Sequence, residues 1–231
     1  MNESADATLE RVPKSHQLKE WAYETLRAAI IELKFSPGDS LREAALSDQL
    51  GISKTPLREA LVRLQADGLV ELRPYRGAVV TGYEPRDLEE IYELRELLEG
   101  ACARRAATDL EAADLDELAG VVSDSEKALA GDDLDELTLL FDRFDEIIFR
   151  QTVNQRIRLQ LDNLRSHIVR IGHLSVGIEG RVQKSVEEHS AIFESISSRD
   201  PERAEQAMRA HVRSVLDDHM TALTSAQSRS T

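Results

Sequence analysis

The chain has 231 residues, 41% of them hydrophobic and 31% charged, with a formal net charge of −14. This length and apolar content suit one large or two smaller globular domains. A membrane span is excluded, since no segment approaches ~20 consecutive apolar residues. The single cysteine, Cys102, excludes an internal disulfide, and the N-terminal segment lacks the charged start and apolar core of a signal peptide. We therefore expect a cytoplasmic protein without membrane contact.

The negative charge is concentrated in the second part of the chain. Residues 1–82 contain 11 Lys and Arg against 12 Asp and Glu, whereas residues 83–231 contain 18 against 31. A nearly neutral first module can bind phosphates if its cations gather on one face, while the acidic remainder is repelled by DNA. The charge distribution therefore keeps nucleic-acid binding open for the first module alone.

The first module is predicted to span residues 15–82, after a flexible segment 1–14. A helical pattern runs from His16 to Leu33 and ends before the Pro37-Gly38 turn pair. The segments "REAALSDQL" and "SKTPLREALVRLQADG" then predict two short helices separated by Gly51, the spacing of a helix-turn-helix.

The second of these helices has a clear start, end and apolar face. Ser53 or Thr55 is a suitable N-cap, Pro56 fits the first turn, and "DG" at 67–68 ends the helix. Its apolar stripe for a core consists of Leu57, Leu61 and Leu64. Two β-rich runs follow, "LVELRPY" and "AVVT", joined through Arg76-Gly77 as a hairpin. This order of elements predicts a winged helix-turn-helix.

Polar and cationic residues near this helix start are the candidate DNA contacts. Lys54, Thr55 and Arg58 project beside the apolar stripe, where a first helical turn reaches base edges and phosphates. The alternative for each residue is an ordinary solvated side chain. The predicted DNA-binding set is Arg42, Ser53, Lys54, Thr55, Arg58, Arg73, Arg76 and Gly77.

The second part, residues 86–222, is predicted to be an all-helical antiparallel bundle followed by a flexible tail, 223–231. β signals stop after Thr81, and helical periodicity continues to the end of the chain. The predicted helices cover 86–107, 112–130, 133–152, 155–173, 178–198 and 201–222. The fold class is therefore mostly α, with a winged helix-turn-helix before the bundle.

Two histidines and one arginine lie on apolar stripes of the bundle. His189 and His211 fall on consecutive helices, so they are either neutral core histidines or ligands of a shared metal. Arg95 is either paired with Glu99 at i+4 or available as a fork for the carboxylate of a small organic acid. The spacing leaves both pairs of alternatives open.

The segment "PGDSLREAALSDQLGISKTPLREALVRLQADGLVELRPYRGAVV" resembles the winged-helix signature of the GntR family of regulators. The later segments "IYELRELLEGACARRAA", "SVEEHSAIFESI" and "AMRAHVRSV" resemble the ligand-binding FCD domain of the FadR-like branch. The resemblance covers residues 15–220. One departure is Ala44, where the family often has a basic residue; Arg42 is a partial replacement.

The FCD resemblance implies a divalent metal held by an Asp and a His four residues apart, together with His189 and His211. The two matching positions here are Phe141 and Asp145. Asp145 is a better third ligand than Asp142, because Asp142 points further toward solvent. The set Asp145, His189 and His211 suits zinc, nickel, manganese or iron. The same departure permits a metal-free pocket in which Asp145 pairs with a histidine.

The resemblance implies a homodimeric, effector-responsive transcription regulator, expected to act as a repressor. Two winged helices would bind a pseudo-palindromic operator, and a small carboxylate effector would tilt the bundle through a hinge at residues 81–87. One alternative is a metal-free acyl-thioester sensor of the same architecture. Another is a metal-dependent enzyme using Asp145, His189 and His211, although the sequence offers no clear general base beside them.

Overall fold

The computed structural model describes residues 14–73, 77–150, 152 and 154–229, with side chains described between residues 17 and 224. The chain divides into two compact units that meet in sequence between Gly82 and Tyr83. This boundary lies within the predicted hinge at residues 81–87.

The first unit contains three helices and a small sheet among its described residues. The helices are α1 (Lys14–Ile31), α2 (Glu43–Leu50) and α3 (Lys54–Ala66), and the strands are β1 (Ser40–Leu41), β2 (Val70–Arg73) and β3 (Gly77–Val80). The sheet is antiparallel in the order β1-β3-β2, with Arg73 opposite Gly77 and Leu41 opposite Ala78. This is the predicted winged helix-turn-helix, extended by the unpredicted strand β1.

The core of the first unit is built on one face of α3. Leu57, Leu61 and Leu64 are at most 1% exposed and pack with Leu26 and Ile30 of α1. Burying an apolar side chain of this size is worth ~1.5–3 kcal/mol. The predicted stripe of α3 is therefore confirmed as the face that fixes this helix on its scaffold.

Glycines with positive φ occupy the turns that orient α3 and the hairpin. Gly51 caps α2 with φ 63°, and Gly68 follows α3 with φ 72°. Gly77 has φ 77°, and a Cβ on it would lie 2.9 Å from the carbonyl oxygen of Leu41. Only glycine adopts these backbone conformations without strain.

The second unit contains six helices among its described residues and, in that part, no strand. They are α4 (Pro85–Asp109), α5 (Ala112–Ala130), α6 (Leu134–Arg150), α7 (Gln155–Ser175), α8 (Arg181–Ser197) and α9 (Pro201–Arg229). The predicted boundaries differ most at two ends: α8 begins at Arg181 rather than at 178, and α9 continues past the predicted end at 222 to Arg229.

The core of the second unit lies between α4, α9 and the helices that flank them. Leu88 and Tyr92 of α4 are buried with Met208 and Val212 of α9, and Phe144 of α6 joins the same cluster. Cys102 is also buried there, as a free thiol. Along the described parts of the chain, every helix is too short or too polar to cross a membrane.

Candidate functional site

The outer face of α3 is the candidate DNA-binding surface. Lys54, Thr55 and Arg58 are exposed, whereas Pro56 and Leu57 between them are buried. Ser53 is the N-cap residue, with an extended backbone, and its side chain makes no capping hydrogen bond to the described backbone. The buried stripe thus presents the first turn of α3 to solvent, in the arrangement that major-groove reading requires.

Arg58 is held by a carboxylate from the neighbouring helix. Its Nε donates to Glu43 Oε2 at 2.8 Å, while 63% of the Arg58 side chain stays exposed. The contact uses Nε and orients the guanidinium away from the core. An arginine fixed in this way has less side-chain entropy to lose when it binds a base or a phosphate.

Arg63, near the other end of α3, serves a structural role. It donates to both carboxylate oxygens of Glu20 on α1, at 2.8 and 2.7 Å, and its guanidinium lies 3.6 Å from the centre of the Tyr23 ring. The Tyr23 hydroxyl in turn donates to Asp67 at 2.7 Å. Arg63 therefore ties α3 to α1.

The other predicted DNA contacts lie on α2 and on the wing. Arg42 is the exposed N-cap residue of α2, and Ala44 two residues later is exposed as well. Arg73, at the end of β2, pairs with Glu71 through Nη2 at 2.7 Å. Arg76 lies outside the described residues. The role of Arg42, Arg73 and Gly77 in DNA binding stays a prediction.

A small cavity of about 60 Å³ lies inside the second unit, and it collects the residues predicted for the effector and metal site. The predicted residues that line it are Arg95 from α4, Asp145 from α6, His189 from α8 and His211 from α9. Four helices thus bring together side chains that are far apart in sequence. We call this space the inner cavity.

The two predicted histidines are neighbours in the inner cavity. Their ring centroids are 4.8 Å apart, and His189 is stacked on Phe144 at 4.1 Å with Phe141 edge-on at 4.9 Å. Burial lowers the pKa of His189 well below its usual value, and the proximity of His211 adds to this effect. His189 is therefore neutral and can supply one ring N–H and one lone pair.

His211 has a carboxylate partner. Its Nδ1 lies 2.7 Å from Glu188 Oε2. Burial alone would raise the pKa of Glu188, but the hydrogen bond from His211 and the charges around it lower the pKa below its usual value. Glu188 thus fixes the orientation of the His211 ring, so that Nε2 is the atom left for another partner.

Arg95 is paired with Glu99, one of its two predicted alternatives. Arg95 Nε donates to Glu99 Oε1 at 2.6 Å and Nη2 approaches Oε2 at 3.4 Å, with both side chains buried. Burial disfavours the guanidinium charge, yet Glu99 and Tyr92 more than compensate and raise its pKa. The pair leaves Nη1 out of these contacts, and Arg95 still lines the inner cavity.

Asp145 is a half-buried acid beside this pair. Burial and the nearby Glu99 carboxylate raise the pKa of Asp145 well above its usual value, against the opposing effect of Arg95. The shift favours the protonated carboxyl, which can donate a hydrogen bond.

The predicted metal ligand set is not formed in this arrangement. Among the described residues, no group of three or more His, Cys, Asp and Glu side chains is placed to hold a metal ion. The rings of Phe141 and Phe144 lie against the His189 imidazole. Although Asp145, His189 and His211 line one cavity, they do not converge as three ligands, and the residues present do not fit a bound divalent metal.

Arg181 and His219 are buried polar residues that were not among the predicted site residues. Arg181 is 1% exposed, pairs with Glu188, and donates to Asp218 at 2.7 Å. His219 Nε2 lies 2.6 Å from the Ser175 hydroxyl. A usable signal existed, because Arg181 precedes His189 by eight residues and His219 follows His211 by eight, a spacing that places each near the apolar stripe of its helix.

Comparisons with known families agree with this two-unit layout. Residues 18–80 match the model of bacterial regulatory proteins of the gntR family, and residues 90–214 match the FCD domain. The second match alone covers more than half of the chain.

Curated relatives and solved structures give the same result. The transcriptional repressor RspR of Escherichia coli K12 is 26% identical over 84% of this chain and 85% of its own length. The galactonate operon transcriptional repressor of the same strain is 27% identical over 79% of this chain and 88% of its own length.

Among solved structures, E. coli McbR/YncC has a TM-score of 0.72 at 20% identity, covering 91% of this chain and 98% of its own. A GntR-type transcriptional regulator from Rhodococcus sp. RHA1 has a TM-score of 0.74 at 20% identity, covering 89% of this chain and 99% of its own. These likenesses support the fold. The family matches show that the chain belongs to the GntR family of DNA-binding transcription regulators and carries a C-terminal FCD domain.

Proposed function

We propose that the protein is a homodimeric repressor whose affinity for its operator is controlled by a small organic acid bound in the inner cavity. Its class as a transcription regulator of the GntR and FCD type follows from the family, and two relatives named as repressors are similar to it over most of its length. The family consists of regulators, so the enzyme alternative built on Asp145, His189 and His211 is wrong.

The observation that supports DNA reading is the exposed first turn of α3 above its buried stripe. Lys54, Thr55 and Arg58 would contact base edges and phosphates, Ser53 and the first backbone N–H groups would bind phosphate oxygens, and Arg42, Arg73, Arg76 and Gly77 would contact the flanking backbone. In a two-fold symmetric dimer, two copies of α3 would read a pseudo-palindromic site in successive major grooves.

The observation that supports an acidic effector is the set of polar groups on the inner cavity. Arg95 and the neutral His189 supply donors, and a protonated Asp145 would not repel an anion. Effector binding would shift the bundle and, through residues 81–87, change the spacing of the two winged helix-turn-helix domains in the dimer. A coupling of a few kcal/mol suffices to change operator occupancy by orders of magnitude.

We place no metal in this mechanism, because the inner-cavity residues do not form a three-ligand set. The alternative of an acyl-thioester effector shares the metal-free pocket and differs in the size of ligand it needs. Both alternatives use the same winged helix-turn-helix and the same inner cavity, so one binding experiment separates them.

The test is selection of DNA duplexes from a random pool by the full-length protein, followed by titration of the best duplex in fluorescence anisotropy. We expect a pseudo-palindromic consensus with half-sites about one helical turn apart. We also expect at least one small organic acid to weaken or strengthen binding, while a coenzyme A thioester has no effect. Failure to enrich any sequence would contradict operator recognition, and an affinity unchanged by every acid would contradict the sensor role.

A further inference from the structure

A second and larger cavity lies between α6 and α7, on the outside of the bundle. Its volume is about 310 Å³, and it opens to solvent. Its apolar lining consists of Phe149, Leu161, Ile168 and Val169. We call this space the outer cleft.

The outer cleft and the inner cavity share part of their walls. Asp142, Asp145 and Ile168 line both spaces. Asp145 is therefore the side chain past which a molecule in the outer cleft would reach Arg95 and His189. The two spaces lie next to each other. Side chains from α4, α6, α7, α8 and α9 line the inner cavity, and side chains from α6 and α7 line the wider outer cleft.

Size distinguishes the roles of the two spaces. Ligand pockets in proteins typically measure about 300–1,000 Å³. The inner cavity, at about 60 Å³, has room only for a small head group, while the outer cleft, at about 310 Å³, reaches the lower end of that range. A ligand that fills both would place a compact polar end inside and a longer body outside.

Seven charged side chains also line the outer cleft, four carboxylates and three arginines, and two of these arginines have partners outside that set. Arg150 Nη1 lies 2.7 Å from Asp114 Oδ1, and Arg158 Nη2 donates to the Thr152 carbonyl at 2.8 Å. On α7, Asp162 lies between Arg158 and Arg165 at helical spacings of four and three residues. The cleft thus has no large excess of one charge, and its apolar wall is the feature that a ligand body would use.

We propose that the effector is an amphipathic carboxylic acid of medium chain length, with its carboxylate in the inner cavity beside Arg95 and His189 and its hydrocarbon chain in the outer cleft. This inference rests on the proposed effector function and narrows it to one chemical class. Removal of the chain from water supplies the affinity, and the inner donors supply the selection for an acid.

The test is isothermal titration calorimetry of the full-length protein with acetate, butyrate, hexanoate and octanoate. Each methylene group buried in the cleft is expected to tighten binding by about fourfold, so each step of two carbons gains about 15-fold until the cleft is filled. The heat capacity change should become more negative along the series. Equal affinities for all four acids, or no binding by any of them, would overturn the proposal.

A pair of tryptophan variants on α7 locates the chain in the cleft. Val169 is half-buried and lines the outer cleft but not the inner cavity, so V169W should fill the cleft and remove the gain from butyrate to octanoate while leaving acetate unaffected. Leu159 is 50% exposed on the same helix and lines neither space, so L159W should follow the parent. A full chain-length gain in V169W would overturn the placement.

The same experiment separates this inference from the proposed function. If gluconate, a hydroxylated acid, bound and altered affinity for the selected operator duplex while the fatty acid series stayed flat, the sensor role would stand and the apolar outer compartment would be wrong. If octanoate bound tightly without any effect on operator affinity, the binding of a hydrocarbon chain in the outer cleft would stand. A sensor role for that acid would then be wrong.

Discussion

Replacing Arg58 by alanine should separate DNA reading from the stability of the first unit. Arg58 is 63% exposed, and its ion pair with Glu43 lies at the surface. Surface ion pairs contribute about 0–1 kcal/mol to stability, so R58A should unfold within about 0.5 kcal/mol of the parent. A good arginine contact to a base is worth about 1–3 kcal/mol, so the operator Kd should rise about five- to 150-fold.

Arg63 offers a matched control on the same helix. R63A removes two hydrogen bonds to Glu20 and the contact with the Tyr23 ring, so it should lower the free energy of unfolding of the first unit by about 1–3 kcal/mol. Because Arg63 points toward α1, its loss should leave the operator Kd of folded protein within about threefold of the parent. R58A should therefore lose operator affinity and keep its stability, whereas R63A should lose stability and keep its operator affinity.

The assay combines urea unfolding followed by circular dichroism with anisotropy on the selected duplex and on a scrambled duplex. E43A should weaken operator binding less than R58A, and the double variant should resemble R58A alone, since the proposed role of Glu43 is to orient Arg58. If R58A bound the operator as tightly as the parent, or lost equal affinity for both duplexes, base reading by Arg58 would be refuted.

Three further predictions concern stability and composition. Burial lowers the pKa of His219 to about 4, so the folded state binds fewer protons than the unfolded state between pH 6.5 and 4. The buried neutral His219 should therefore reduce the free energy of unfolding by up to about 3 kcal/mol as pH falls through this range. The His219→Gln variant should lose that part of the acid sensitivity in urea titrations at pH 7 and pH 4.5. L61A, in the core of α3 at 1% exposure, should destabilise the first unit by about 2–5 kcal/mol, whereas V62A at 55% exposure should change it by less than about 0.5 kcal/mol, a difference that thermal unfolding would reveal. Elemental analysis of protein purified without chelator should find well below one zinc, nickel, manganese or iron ion per chain, and a stoichiometric metal that is lost in H189A would show that the inner cavity does bind one.

The winged helix-turn-helix was predictable because its determinants are local in the sequence. The stripe of leucines, the glycine turn at Gly51 and the "DG" stop at 67–68 each act within a few residues, and all appear at the predicted places. β1 escaped prediction because two residues carry no periodic pattern, and the strand exists through pairing with β3 nearly forty positions away. The end of α9 escaped for a related reason, since the polar residues after 222 carry no helix stop signal.

The inner cavity was predictable in its members but not in their partners. His189, His211 and Arg95 were found because polar side chains on apolar stripes stand out in the sequence. The convergence of Asp145 on the histidines depends on side-chain direction, which the spacing does not fix, and the Phe144 ring stacks on His189 instead. The pairing of Arg181 with Asp218 could not be predicted, because Asp218, which compensates the buried charge, lies on another helix.

Gly77 links the hairpin to the reading helix through the backbone. A side chain at this position would push against the Leu41 carbonyl oxygen, which would lie only 2.9 Å from the added Cβ, and would force β1 away from β3. β1 runs directly into Arg42 and Glu43 at the start of α2, and Glu43 holds Arg58. If α3 and Arg58 read bases as proposed, a substitution at the base of the wing would alter which bases α3 prefers. The sequence preference would then depend on both the wing and α3, two separate segments of the chain.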